Sequence, residues 1–167
     1  MTVLQTQRLD LRQLVREDAP FILELVNEPS WLRFIGDRNV HSLEDAVGYI
    51  EKGPLESYAK NGFGLYLVVD RESGASAGLC GLIRRDVLPH VDIGFAFSPR
   101  FWGRGLAFEA ASAVLAHGRD VLGLSPILAI VNPDNERSIA LLEKLGMRFD
   151  RMFRLPPDEF DTRLYTT

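Results

Sequence analysis

The fold is decided by residues 93–107, which read Ile93-Gly94-Phe95-Ala96-Phe97-Ser98-Pro99-Arg100-Phe101-Trp102-Gly103-Arg104-Gly105-Leu106-Ala107. The apolar run up to Phe97 predicts a strand closed by Pro99, and a helix is predicted from about Arg104 to Leu122. Two glycines lie between them, and glycine lets a backbone approach a ligand closely. The first amides of the helix then point outward together, where the helix dipole favours an anion such as a pyrophosphate.

Two other phosphate-binding loops do not match this segment. A nucleoside-triphosphatase loop needs Gly-Lys-Ser/Thr at its end, which is absent. A dinucleotide fingerprint needs a third glycine at position 108, where the chain has Phe108. Arg104, with Arg100 as a second cation, is placed to add charge-assisted hydrogen bonds to an anion. A glycine-softened loop without a ligand stays open on the local sequence.

The rest of the chain predicts strands and helices around this segment. In chain order they are strand 8–12, helices 18–27 and 42–58, strands 64–69, 77–83 and 91–97, helix 104–122, strand 127–131, helix 134–145, and strands 147–153 and 162–165. Pro29 is expected to end the first helix, Ser42 to cap the second, and Asn132 to cap the last. This order predicts one mixed α/β domain over residues 1–167, with a largely antiparallel twisted sheet of about seven strands and four helices on its faces.

Composition limits the partners and the chemistry. The 167 residues carry a formal net charge of −4, which argues against a nucleic-acid partner. No apolar stretch is long enough for a membrane span and the start lacks a secretion signal, so we expect a cytoplasmic protein with no membrane partner. Cys80 is the only cysteine. We therefore expect no disulfide, no metal site and an inert, buried thiol.

A second polar motif follows the predicted strand 127–131. Asn135 and Ser138 are three residues apart, so they share one face of the predicted helix. An amide and a hydroxyl aligned in this way are suited to line a site. A capped helix with an incidental polar stripe fits the same residues equally well.

The glycine turn resembles the pyrophosphate-binding loop of the GNAT N-acetyltransferase superfamily, whose pattern is Gln/Arg-x-x-Gly-x-Gly/Ala. Gly105 and Ala107 match its last two fixed positions, whereas Trp102 stands where Gln or Arg is usual. The Trp-Gly-x-Gly form is similar to that of the RimJ/RimL-like branch, which acetylates protein N-termini among other amines. Residues 8–12, Arg-Leu-Asp-Leu-Arg, resemble that branch's opening strand, and residues 135–147 resemble a second signature, Asn-x-x-Ser-x-x-x-x-Glu-Lys-x-Gly-Phe.

The resemblance implies an acetyl-CoA-dependent transferase in which an amine attacks the thioester directly, within a ternary complex. Backbone groups of residues 95–97 would bond the pantetheine arm, and an amide near Phe97 would polarise the thioester carbonyl. Amides of residues 103–107 would hold the pyrophosphate, and Asn135 would bond pantetheine. The residues expected to hold this cosubstrate are Phe95, Ala96, Phe97, Trp102, Gly103, Arg104, Gly105, Leu106, Ala107, Asn132, Asn135 and Ser138.

The usual acid and base positions of the family are apolar in this sequence. The tyrosine that protonates the leaving thiolate falls on Leu142, and the acidic strand position falls on Ile130. Ser138 is the remaining hydroxyl that the resemblance offers for the leaving sulfur.

The general base has three candidates, because a protonated amine must lose a proton before it attacks. Asp92 is the first choice since it precedes the core of the strand that would bind the cofactor. His90 has a suitable intrinsic pKa, and Glu159 lies in an acidic turn. Each of the three fits a solvated surface group equally well.

The acceptor pocket is expected to include Trp31, Phe34 and Tyr66, although such aromatics are more often plain core. Three functions stay open: acetylation of a protein or peptide N-terminus, acetylation of a small amine such as an antibiotic or metabolite, and a non-catalytic acyl-CoA-binding module. The protein is expected to be a monomer or a homodimer.

Overall fold

The computed structural model describes residues 2–156 and 161–167. Within them, eight strands form one sheet in the order β1-β2-β3-β4-β5-β6-β8-β7. The strands are β1 (Thr2–Gln5), β2 (Leu9–Arg12), β3 (Leu65–Asp70), β4 (Ser76–Ile83), β5 (Asp92–Phe97), β6 (Leu128–Val131), β7 (Arg148–Phe153) and β8 (Thr162–Thr166). Neighbouring strands pair antiparallel except β5 and β6, which are parallel.

Helices cover the sheet and connect its strands. They are α1 (Ala19–Leu25), α2 (Pro29–Phe34), α3 (Leu43–Ile50), α4 (Glu56–Asn61), α5 (Leu106–Asp120) and α6 (Glu136–Lys144), with a π turn over Glu51–Leu55 that joins α3 to α4. Ser42 caps α3 as predicted, because its hydroxyl accepts a hydrogen bond from the Asp45 amide over 3.0 Å. In the described part of the chain, no helix is long and apolar enough to cross a bilayer.

The mixed α/β fold is confirmed, and three local predictions are corrected. The sheet gains the N-terminal strand β1, which pairs with β2 through a bulge. Pro29 does not end the first helix, which stops at Leu25; it begins α2, where a proline needs no intrahelical N–H partner. The cap of α6 is Asn135 rather than Asn132, since the Asn132 side chain instead accepts from the Asp134 amide and forms a turn before the helix.

The central strands are apolar on both faces because helices cover both. Leu67 of β3 packs into the layer of α1, α2 and α3, whereas Tyr66 and Val68 pack under α5. Successive side chains of a strand point to opposite faces, so this alternation follows from the pleat. Cys80 of β4 is fully buried in the α5 layer, and burial raises the pKa of its thiol. The structure therefore confirms a buried Cys80.

The sheet splits between its two parallel strands, and this split positions the site. On one edge, β5 pairs with β4 along its whole length, from Asp92 to Phe97. On the other edge, the only register pair with β6 joins Asp92 to Leu128. The two strands diverge beyond that pair, which leaves one edge of β5 open.

Candidate active site

The split opens into two adjoining cavities. The turn cavity, of about 530 Å³, includes the glycine turn and the start of α5 in its lining. The strand cavity, of about 460 Å³, includes Asp92, Ile130 and Leu142 in its lining. They share the residues Trp31, Phe34, Ile35, Phe95, Ala96, Asn135 and Ser138. A wider groove of about 1120 Å³ runs along α3 and α4 and adjoins the strand cavity, with which it shares Arg38, Tyr49, Leu65, Ile83 and Arg85.

The hydrogen bonds at the two ends of β5 show which backbone groups face the split. The Val91 carbonyl accepts from the Leu128 amide of β6, and the Ser98 amide donates to the Ala77 carbonyl on the β4 side, each over 2.9 Å. Backbone groups along a strand alternate between its two neighbours. The odd-numbered residues of 93–97 therefore direct their N–H and C=O groups away from β4, toward the split.

Trp102 bonds one of these groups. Its indole nitrogen donates to the Phe97 carbonyl over 2.8 Å. Because the β5–β6 ladder ends at Asp92, the peptide groups of Phe95 and the amide of Phe97 are left facing the cleft. This is the hydrogen-bonding edge that an extended ligand with amide groups needs.

The glycine turn has the backbone conformation that the sequence predicted. Gly103 and Gly105 both have φ of +74°, in the left-handed region that favours glycine, and Gly105 is the N-cap of α5. The amides of Leu106, Ala107 and Phe108 belong to the first turn and have no carbonyl partner within the helix. All three residues line the turn cavity, so these amides make a candidate anion site, which we call the anion site.

The cations around this anion site differ from the prediction. The guanidinium groups of Arg104 and Arg100 lie over the Phe101 ring, with carbon-to-centroid distances of 5.5 and 5.1 Å, and neither residue lines the turn cavity. Arg137 and Lys144 of α6 do line it. Arg137 lies between Asn135 and Ser138 in the second motif, which is the signal that could have identified it.

The two polar residues of α6 reach both cavities. Asn135 accepts from the Ser138 amide through Oδ1 over 3.2 Å, which leaves its amide nitrogen to donate to a ligand. Ser138 is half-buried in the first turn of the helix. Asn132, which was also expected to hold the cofactor, lines the strand cavity only.

Asp92 is the buried carboxyl group of the strand cavity. It is 2% exposed, and its Oδ1 lies 3.0 Å from Nε of Arg85. Burial raises the pKa of Asp92 to about 6, although the Arg85 charge and hydrogen bond oppose the shift. Of the other two base candidates, His90 is exposed and lines neither cavity, and Glu159 lies outside the described residues.

Of the three aromatic residues expected around the acceptor, two line the cavities and one does not. Trp31 and Phe34 line both cavities. The indole N–H of Trp31 is the one buried side-chain polar group without a hydrogen-bond partner in residues 2–156 and 161–167. Contrary to the prediction, Tyr66 lies outside both cavities, because the pleat turns it under α5, where it stacks on Tyr58 at 5.6 Å. Tyr49 lines the strand cavity and was not predicted.

The split sheet and the candidate anion site beside it fit an acyltransferase that uses a coenzyme A thioester. Residues 8–148 match the family model described as an acetyltransferase (GNAT) domain. The chain therefore belongs to the GNAT acetyltransferase family and is an acyltransferase. Enzymes of this family use acetyl-CoA. In the described ranges, no group of three or more His, Cys, Asp or Glu side chains is arranged to hold a metal ion.

Two related sequences have names that describe N-acetyltransferases. The chain is 32% identical over 154 residues to the uncharacterized N-acetyltransferase YoaA of Bacillus subtilis, which covers 91% of this chain and 86% of YoaA. It is 29% identical over 137 residues to spermidine N(1)-acetyltransferase of Escherichia coli, covering 81% of this chain and 70% of that enzyme.

Solved structures share the whole fold. An acetyltransferase from Agrobacterium tumefaciens superposes with a TM-score of 0.84 at 25% identity, covering 100% of this chain and 94% of that one. RimL, a ribosomal L7/L12 alpha-N-protein acetyltransferase in complex with coenzyme A, also gives 0.84, at 17% identity and with 100% and 97% coverage. This second likeness concerns the fold alone.

Proposed function

We propose that this protein transfers the acetyl group of acetyl-CoA to the N-terminal amine of a peptide or protein, by direct attack within a ternary complex. The observation that carries the proposal is the continuity of the turn cavity with the strand cavity. The residues that they share bring an anion site, an open strand edge and a buried carboxylate into one cleft.

The residues of the turn cavity fit the cosubstrate. The first-turn amides of α5 suit its diphosphate, with Arg137 and Lys144 as nearby cations. The open groups of Phe95 and the amide nitrogen of Asn135 suit the amides of its pantetheine arm. When bound, acetyl-CoA supplies an activated acetyl thioester. The Phe97 amide is the group that we assign to polarise the thioester carbonyl.

Asp92 and Ser138 are assigned to the two proton transfers. With a pKa of about 6, Asp92 is mostly ionised at pH 7 and can accept a proton from the incoming ammonium group. The nearby positions Ile130 and Leu142 offer no competing acid or base in the same cavity. Ser138, which lines both cavities, is assigned to donate a proton to the departing sulfur.

The charges of the strand cavity favour an acceptor with one amine over a polyamine. Its described lining carries the two arginines Arg38 and Arg85 and the single carboxylate Asp92. Since Arg85 is paired with Asp92, the described lining has a net charge of +1, which repels the several positive charges of a polyamine more than the single charge of a peptide N-terminus. The spermidine acetyltransferase relative makes a polyamine the competing acceptor to be tested.

The experiment measures the turnover of acetyl-CoA with a panel of acceptors, and the release of free thiol is the readout. The panel holds short peptides with different N-terminal residues, their N-terminally blocked forms, spermidine and an aminoglycoside. We expect turnover with free peptides and none with blocked ones. Faster turnover with spermidine or the aminoglycoside than with every peptide contradicts the acceptor assignment, and no thiol release with any amine contradicts the transfer itself.

A further inference from the structure

Arg8 connects the opening hairpin to the glycine turn. It lies directly before β2, and its Nη1 donates to the Arg104 carbonyl over 2.8 Å. Its Nε and its backbone amide donate to the two carboxylate oxygens of Glu109 over 2.8 and 2.9 Å. The Thr6 hydroxyl also donates to Glu109, over 2.5 Å. We call Thr6, Arg8 and Glu109 the hairpin brace.

The hydrogen bond from Arg8 to the Arg104 carbonyl fixes the orientation of the peptide group between Arg104 and Gly105. In a planar trans peptide the C=O and N–H groups point in opposite directions. Because Arg8 holds the Arg104 carbonyl, the Gly105 amide is directed away from Arg8. Gly105 lines the turn cavity and Arg8 does not, so the guanidinium supports the turn from behind. A Cβ at Gly105 would lie 3.5 Å from Nη2 of Arg8, which shows how closely it packs.

The bonds to Glu109 control the charge beside the anion site. Glu109 lies in the first turn of α5, where an unpaired carboxylate would repel a bound diphosphate. Burial alone would raise the pKa of Glu109, but hydrogen bonds from Thr6 and Arg8 outweigh it and lower the pKa. The carboxylate is therefore ionised, and the Arg8 guanidinium neutralises it.

We infer that Arg8 is a positioning residue for the diphosphate of the cosubstrate, which it never touches. It orients the turn and neutralises Glu109, so that the α5 amides stay available to an anion. The inference rests on the proposed use of acetyl-CoA. The competing role is a plain structural tether between the hairpin and α5.

Arg71 provides a matched control for that competing role. Its Nη1 donates to the Thr6 carbonyl over 2.8 Å, so it also holds the opening hairpin. Its side chain is 41% exposed, against 44% for Arg8. The hydrogen bonds of its side chain go to the hairpin and not to α5. Arg71→Gln therefore weakens the hairpin while leaving the glycine turn intact.

The experiment compares Arg8→Gln, Arg8→Lys and Arg71→Gln with two acetyl donors. Acetyl-CoA carries the diphosphate, and acetyl-pantetheine ends before it. For Arg8→Gln we expect KM for acetyl-CoA to rise about tenfold, the scale of one charge-assisted hydrogen bond, with kcat and the amine KM unchanged. KM for acetyl-pantetheine should stay at the wild-type value. Arg8→Lys keeps the positive charge but lacks the planar guanidinium, so its KM for acetyl-CoA should lie between those of wild type and Arg8→Gln.

A double variant separates the charge effect from tethering. Arg8→Gln/Glu109→Gln removes the exposed carboxylate, so it should bind coenzyme A more tightly than Arg8→Gln in a direct titration. An equal rise in both donors' KM values, or an equal effect of Arg71→Gln, overturns the positioning role. So does a double variant that binds no better than the single one. Failure of the wild-type protein itself to bind coenzyme A overturns the proposed function instead.

Discussion

The indole nitrogen of Trp102 donates to the Phe97 carbonyl over 2.8 Å and thereby joins the glycine turn to the end of β5. Trp102 also contacts Arg137 of α6, whose guanidinium carbon lies over the indole ring at 4.4 Å from its centroid. One side chain thus connects the glycine turn, β5 and α6, all of which line the turn cavity.

Trp102→Phe tests the hydrogen bond and keeps most of the stacking surface. Loss of the bond frees the Phe97 carbonyl and loosens the turn, so we expect KM for acetyl-CoA to rise about fivefold and stability to fall by about 1 kcal/mol. Steady-state kinetics and urea unfolding measure the two effects. Arg137→Gln removes the stacked cation and leaves the hydrogen bond intact. If Trp102→Phe keeps the wild-type KM, the Trp102–Phe97 contact has no part in cosubstrate binding.

Gly105→Ala tests the left-handed conformation at the N-cap of α5. A Cβ at φ of +74° is disfavoured, by about 1 kcal/mol. We expect that loss of stability together with a higher KM for acetyl-CoA, because the strained turn shifts the first-turn amides. Gly123→Ala is the matched control: φ there is +68°, a Cβ meets nothing within 4 Å, and the residue lines neither cavity.

The comparison between those two variants decides the point. Both should lose similar stability by urea unfolding, and only Gly105→Ala should alter the KM for acetyl-CoA. A common rise in KM would mean that general destabilisation, rather than the geometry of the turn, is responsible.

The backbone conformation of the glycine turn was predictable because its signal is local. Two glycines, a strand before them and a helix after them fix the backbone within a few residues, and Gly103 and Gly105 have the expected conformation. Ser42 is a similar case, since a cap depends on the next three residues.

The contacts that the sequence did not reveal depend on distant residues or on the choice between two faces. Arg8 meets Arg104 across 96 positions of the chain, and no local pattern announces such a pair. Tyr66 lies in a strand that is apolar on both faces, so periodicity does not tell which face adjoins the cleft. Pro29 suits either a helix stop or a helix start, and only the packing of α2 decides between them.

Asp92 should make the reaction rate fall at acidic pH. Its pKa of about 6 means that the carboxylate becomes protonated, and loses its capacity as a base, as the pH falls through 6. We expect kcat/KM for the amine to decline below about pH 6 and Asp92→Asn to lower kcat at pH 7.5 by about 100-fold, with KM for acetyl-CoA unchanged. His90→Asn, at the exposed alternative, should retain the wild-type profile. Unchanged turnover in Asp92→Asn removes Asp92 from the mechanism.

Asp92 should also make stability depend on pH in a direction opposite to that of most carboxylates. Its folded pKa, about 6, lies above the ordinary value of 3.8, so the folded state holds the proton more tightly. That contribution to stability is fully present below the unfolded pKa and is lost as the pH rises through 6. A rise of about two pKa units corresponds to a contribution of at most about 3 kcal/mol to the free energy of unfolding.

The measurement is the stability of Asp92→Asn relative to wild type, by urea unfolding at pH 4 and pH 7.5. We expect the variant to gain up to about 3 kcal/mol on wild type between the two pH values, because asparagine never acquires the buried charge. Arg85 faces an ionised Asp92 in wild type only above about pH 6, and the pKa of about 6 already includes the stabilisation from that ion pair. Asp120→Asn is the control: the Arg119 hydrogen bond lowers the pKa of exposed Asp120, so its difference from wild type should change in the opposite direction. An Asp92→Asn difference that does not change with pH would mean that the folded protein does not raise the pKa of Asp92.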